Sequence, residues 1–154
     1  MRPQQTVPAQ CTPAASPPGA IPSGFLGAFE VTLPAANDAP VAARAAVTAW
    51  MAGHLSSTML ADLQLLLSEL VTNSVRHAGA AHGAVVRVRA RVRSDAVRLE
   101  AEDAGRTGSI ARRAPDREQG GGFGLHVVDA LSRRWGVNRD AGTCVWAEFA
   151  LPTA

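Results

Sequence analysis

The sequence predicts an α+β domain: a two-layer sandwich in which a mixed, mostly antiparallel sheet carries its helices on one face. Two observations lead there. Residues 85–103 alternate strictly between apolar and charged letters on either side of a turn, which marks a half-buried strand pair. Before them stand two long Ala- and Leu-rich stretches of helical period, and after them one shorter stretch of the same kind followed by two strand-like runs. The predicted order is β-α-α-β-β-loop-α-β-β, which a sheet covered on one side by helices accommodates.

The elements follow in chain order. Residues 1–24 contain six of the ten prolines among Gln, Ala, Ser and Thr, so they are expected to be a disordered Pro/Ala-rich tail, leaving 25–154 as the folded domain. In GFLGAFEVTL, Phe29, Val31 and Leu33 alternate to one face, and Pro34 ends the strand. Asn37 and Asp38 are N-cap candidates for a helix running to about His54, with Pro40 in its first turn. Ser57 or Thr58 is expected to cap the next helix, which runs to Gly79.

This second helix is apolar around most of its circumference. Glu69, Asn73 and His77 nevertheless share one strip at i, i+4 and i+8, with Arg76 beside them. Polar groups on a mostly buried helix call for a reason.

The hairpin follows. Pairing Val92 with Val97 across the Ser94–Asp95 turn sets Arg89 opposite Glu100 and Arg87 opposite Glu102, so the arginine row reads as a solvated outer face with cross-strand charge pairs. Residues 104–122 have no period and form a long loop, a length usually tied to function in a compact domain. GLHVVDALSRRW is the third helix, and strands near WGVNRD and TCVWAEFAL flank an Asp140–Gly142 turn.

Composition removes several function classes. The chain has 154 residues and a formal net charge of +2, with all of its positive charge on arginine. Without lysine there is no P-loop lysine, Schiff base or kinase-type strand lysine. The arginines are interleaved with thirteen carboxylates rather than gathered, so nucleic-acid binding is not indicated. Cys11 and Cys144 suggest neither a disulfide scaffold nor a metal cluster. No secretory signal or membrane-spanning run is visible, and the expected location is cytoplasmic.

Three clusters carry chemistry. On the second helix, Asn73 offers a carbonyl oxygen of the kind a hard cation such as Mg²⁺ takes alongside phosphate oxygens and water. Glu69, one turn away, can accept a proton from a hydroxyl attacking phosphorus. At a strand end, Asp103 can accept from an exocyclic amine, and Gly105 permits close approach of a flat ring. Entering the third helix, Gly120, Gly121, Gly122, Phe123, Gly124 and Leu125 form a glycine-rich turn whose amides suit phosphate. It is not a dinucleotide fingerprint, since G-x-G-x-x-G fails at Val127. Metal ligand, adenine acceptor and phosphate cradle together are what Mg-ATP requires.

In these three motifs, and in the order helix, strand end, loop-to-helix, the sequence resembles the Bergerat-fold ATPases of the gyrase, heat-shock chaperone, histidine kinase and MutL type. It is most similar to the single-domain bacterial anti-sigma-factor serine/threonine kinases, from about Phe25 to Leu151. The resemblance implies the histidine-kinase-like ATPase fold, with ATP and Mg²⁺ as ligands. It implies Asn73 as the Mg²⁺ ligand and Glu69 as general base. Asp103 would receive the adenine amine, Gly105 would lie against the ring, and Gly120–Leu125 would bind phosphates below a lid at about 106–121. Arg76 and His77 match the family's helix end and are expected among the ATP-binding residues, in a structural or phosphate-side role. The family's D-x-G-x-G departs here, its second glycine falling on Thr107. The implied activity is transfer of the γ-phosphoryl of Mg-ATP to Ser or Thr of an antagonist protein, together with sequestration of a sigma factor or similar partner, and a homodimer. A nucleotide-binding interaction module without transfer activity is the alternative, against which Glu69 weighs.

Overall fold

The computed structural model describes residues 25–78, 83–103, 123–140 and 142–152. The elements are β1 (Phe25–Pro34), α1 (Ala39–Met51), α2 (Ser57–Ala78), β2 (Val85–Arg93), β3 (Ala96–Asp103), α3 (Phe123–Leu131), β4 (Arg134–Asn138) and β5 (Thr143–Ala150). This is the predicted order. The expected tail at 1–24, the helix end at Gly79, Gly105, Thr107, the lid and Gly120–Gly122 lie outside the described residues.

The strands form one sheet in the order β1-β2-β3-β5-β4. Every described pairing is antiparallel, so the parallel component of the expected mixed sheet is not found among these strands. The reason is topological. The chain leaves β3 through α3 and comes back as β4, but the hairpin partner β5 takes the place beside β3 and puts β4 on the edge.

Alternation sorts the side chains. Val86, Val88 and Ala90 of β2, Val97, Leu99 and Ala101 of β3, and Val145, Ala147 and Phe149 of β5 enter one core with Leu63, Leu66, Leu67 and Leu70 of α2. These four leucines are fully buried, and losing any one side chain to alanine would cost about 2–5 kcal/mol. α1 closes the β1 side, where the rings of Phe29 and Trp50 stand 5.5 Å apart.

Helix limits differ from expectation in three places. The cap of α2 is Ser56 rather than Ser57 or Thr58: its Oγ accepts from the Met59 amide at 3.3 Å. α1 stops at Met51 instead of His54, and the chain turns through Gly53 at φ 80°. α3 stops at Leu131 rather than Trp135. There Ser132 Oγ donates to the Val128 carbonyl, and the Arg133 amide and the Arg134 side chain both turn to Glu148 of β5. Both the main chain and the carboxylate of Glu148, on the adjacent strand, thus bind the residues where the helical pattern gives way to an edge strand.

The outer sheet face carries the predicted register, Arg89 opposite Glu100 and Arg87 opposite Glu102. It is less solvated than expected, with Arg89 5%, Glu100 1% and Glu148 5% exposed. Arg89 bridges Glu30, Glu100 and Glu102. Arg98 lies over the Trp146 ring at 4.2 Å. Cys144, on the same face, is buried and disulfide-bonded.

Candidate functional site

α2 and β3 meet at one end of the sandwich, and a single hydrogen bond sets how. Ser74 is 1% exposed, and its Oγ donates to the Ala101 carbonyl at 3.2 Å. Ser74 follows Asn73 in the chain, while Ala101 precedes Asp103 by two residues and so shares its face of the strand. The bond therefore brings the Asn73 turn of α2 to the Asp103 end of β3. Two of the three sequence clusters converge there.

Asp103 is fully buried on the helix-covered face, opposite Thr143 in the β3–β5 register. Its Oδ1 accepts from the Thr143 amide at 3.3 Å. Thr143 is 2% exposed, and its Oγ1 is buried without a hydrogen-bond partner among the described residues. Burying a hydroxyl in this state costs on the order of 1–3 kcal/mol. A carboxylate and an unsatisfied hydroxyl, side by side and shut off from bulk water, suit a ligand edge carrying both donors and acceptors, as a purine does.

Thr143 was not among the residues singled out by sequence. Its cross-strand pairing with Asp103 depends on β5 and not β4 lying next to β3, which local periodicity does not reveal. The one sequence signal is a polar residue at the head of the apolar run CVWAEFAL.

On α2, Glu69 and Asn73 are half-buried and flank the leucine stripe, whereas Arg76 and His77 are exposed. Neither Glu69 nor Asn73 takes part in a side-chain hydrogen bond or ion pair among the described residues. Half-buried polar groups held on a rigid helix but not consumed by the fold remain available to a ligand. Phe123, Gly124 and Leu125 form the first turn of α3, where backbone amides lack intrahelical acceptors. α3 packs on α2, with Val128 fully buried between. Gly105, Gly120, Gly121 and Gly122 belong to segments outside the described residues.

The donor set bears on the metal. Among the described residues no group of three or more His, Cys, Asp or Glu could hold an ion. A protein-caged cation is therefore not built here, but Mg²⁺ carried by phosphates needs only one or two protein oxygens and keeps its waters. Asn73 fits that limited role. Nor is any helix among the described residues long and apolar enough to cross a membrane, a statement that does not extend to β-barrels.

Comparison with known proteins bears on the fold and the family. No curated protein matches the chain in sequence. Among solved structures, the RsbU and RsbW domains of Rv1364c from Mycobacterium tuberculosis superpose with a TM-score of 0.61 at 24% identity. That match covers 83% of this chain and 34% of the other, so the chain spans about a third of that structure's length and the likeness concerns the fold. A histidine kinase domain from the Erythrobacter litoralis EL346 blue-light activated histidine kinase is 29% identical over 60% of this chain and 45% of that one, with a TM-score of 0.48. Residues 33–149, from the end of β1 to the end of β5, match the histidine kinase-like ATPase domain, and the chain belongs to that family.

Proposed function

We propose that the protein binds ATP with Mg²⁺ at the α2–β3 end and acts as a regulatory kinase of the anti-sigma-factor type. It would pass the γ-phosphoryl group to a serine or threonine of an antagonist protein and sequester a sigma factor or similar partner. The observation that carries this reading is the buried Asp103–Thr143 pair, lying at the same end of the sandwich as the unengaged Glu69 and Asn73. The likeness of fold to a structure containing the RsbU and RsbW domains of the Mycobacterium tuberculosis protein is compatible with this reading.

In this reading each residue has a distinct task. Asp103 accepts the exocyclic amine of adenine, and Thr143 Oγ1 gains the hydrogen bond it lacks in the fold. The Asn73 side-chain carbonyl holds the cation, and the first-turn amides of α3 face the phosphates. Magnesium, when bound, neutralises phosphate charge and aligns the transferred group. Glu69 would orient the incoming hydroxyl and take its proton as that oxygen bonds to Pγ, while the bond from Pγ to the β,γ-bridging oxygen breaks and ADP leaves with the electron pair. Arg76 and His77, exposed on the next turn, would take the phosphate side of the site. Homodimerisation and a cytoplasmic setting complete the proposal.

The test separates binding from transfer. The Glu69→Ala protein should retain ATP affinity and fail to label a serine-bearing partner domain from γ-labelled ATP. Loss of ATP binding in Glu69→Ala would remove the general-base assignment.

A further inference from the structure

The sheet face turned away from the helices is electrostatically uneven. In the middle of the sheet, arginine alternates with glutamate across the strands: Glu30, Arg89 and Glu100 on one rung, Arg87 and Glu102 on the next. The rung nearest the β2–β3 turn breaks the pattern, because Arg91 stands opposite Arg98. Like charges directly opposed destabilise a strand pair. Burial and the neighbouring arginines 89, 98 and 93 lower the pKa of Arg91, with Glu100 opposing them.

Around that rung the positive charge accumulates. Glu148 receives Arg98, Arg133 and Arg134 together, and Asp95 takes a second contact from Arg133. With Arg91 and Arg93, five arginines lie among three carboxylates at this end, because Arg98 also pairs with Glu100 at 2.8 Å. The outermost are in reach of solvent: the side chains of Arg133 and Arg134 are 38% and 52% exposed, and Arg93 is exposed beside the turn.

We propose that this end of the outer face is a docking surface for an acidic segment of a partner protein. Three candidate occupants can be weighed by charge. Residues 1–24 contain no Asp or Glu, so the chain's own N-terminal segment offers no complement. A second copy meeting face to face would set arginines against arginines. A nucleic-acid backbone would run its phosphates past Glu148 and past Asp95, which is 46% exposed, on a chain whose net charge is only +2. A short protein segment with a few spaced carboxylates avoids both acids and meets the exposed arginines 93, 133 and 134. The surface is independent of the nucleotide site, since Asp103 and Thr143 face the helices and the arginine rung faces away.

The experiment titrates the isotope-labelled full chain with a short glutamate-rich peptide, and in parallel with a single-stranded oligonucleotide of equal charge. Backbone resonances should shift around Arg91–Arg98 and at Arg133 and Arg134 with peptide, more strongly than with oligonucleotide. Arg93→Glu and Arg134→Glu should each weaken the peptide several-fold, and together roughly tenfold or more, while Arg44→Glu on the helical side changes nothing. ATP affinity should be the same in all of these variants. Absent or scattered shifts, peptide binding indifferent to the arginine variants, or oligonucleotide binding tighter than peptide would each overturn the proposal. Arg93→Glu keeps the test open if Arg134→Glu fails to fold, because Arg93 has no part in the Glu148 cluster.

Discussion

At the scale of single residues, two side chains separate a functional from an architectural role. Thr143 Oγ1 is a buried hydroxyl with no hydrogen-bond partner among the described residues. Thr143→Val keeps the shape and removes the hydroxyl, so denaturant unfolding should show unchanged or slightly higher stability, about 0–2 kcal/mol. ATP affinity should nonetheless fall. A Thr143→Val protein that is less stable and binds ATP as before would make the residue structural. Gly136 gives the opposite expectation. A Cβ there would lie 2.9 Å from Cζ2 and 3.0 Å from Cε2 of Trp146, an indole buried beneath Arg98. Gly136→Ala should destabilise by about 1–3 kcal/mol, read from a shifted unfolding midpoint, and leave nucleotide binding alone.

At the scale of elements, what was legible in the sequence followed from repetition. Strict alternation through Val86, Val88, Ala90 and Val92, with a turn at Ser94–Asp95, allows one register in which the apolar letters share a face, and Arg89 does pair with Glu100. The leucines of α2 likewise announce their helix, and Glu69 and Asn73 stand out against them. What was not legible depended on partners far along the chain. Arg133 and Arg134 continue a helical pattern by their own neighbours, but both side chains bond to Glu148, and β4 begins at Arg134. Ser74 reads as one more small residue until Ala101 is known to lie across from it. That bond aligns the two halves of the candidate site. Ser74→Ala should cost about 1 kcal/mol in urea unfolding and weaken Mg-ATP more than a comparable loss elsewhere in the core. An affinity unchanged by Ser74→Ala would mean that packing alone sets the alignment.

At the scale of the whole molecule, the two faces of the sheet divide the work: the helix-covered face holds the core and the candidate site, and the outer face holds the charges. Glu148 ties the β5–β4 edge to the turn through its arginines. Burial pushes its pKa up, but the hydrogen bonds and charges of Arg134 and Arg133 outweigh this and hold it below its ordinary value of 4.5. A carboxylate depressed in the folded state stabilises the fold above its unfolded pKa, and that contribution is lost as pH falls through the folded value. Thermal stability should therefore drop as pH is lowered below about 4.5, and Glu148→Gln, less stable at neutral pH, should lose less on acidification. Identical pH profiles for the two proteins would remove Glu148 from the account.

The whole reading turns on whether the α2–β3 end holds a nucleotide. Calorimetric titration of ATP into the protein, with and without Mg²⁺, and into its Asp103→Asn and Asn73→Ala variants, addresses this most directly. The account predicts magnesium-dependent binding that Asp103→Asn weakens and Asn73→Ala frees of its magnesium dependence or abolishes, both variants remaining folded. Absence of binding at millimolar ATP, or binding indifferent to magnesium and to both substitutions, would contradict it.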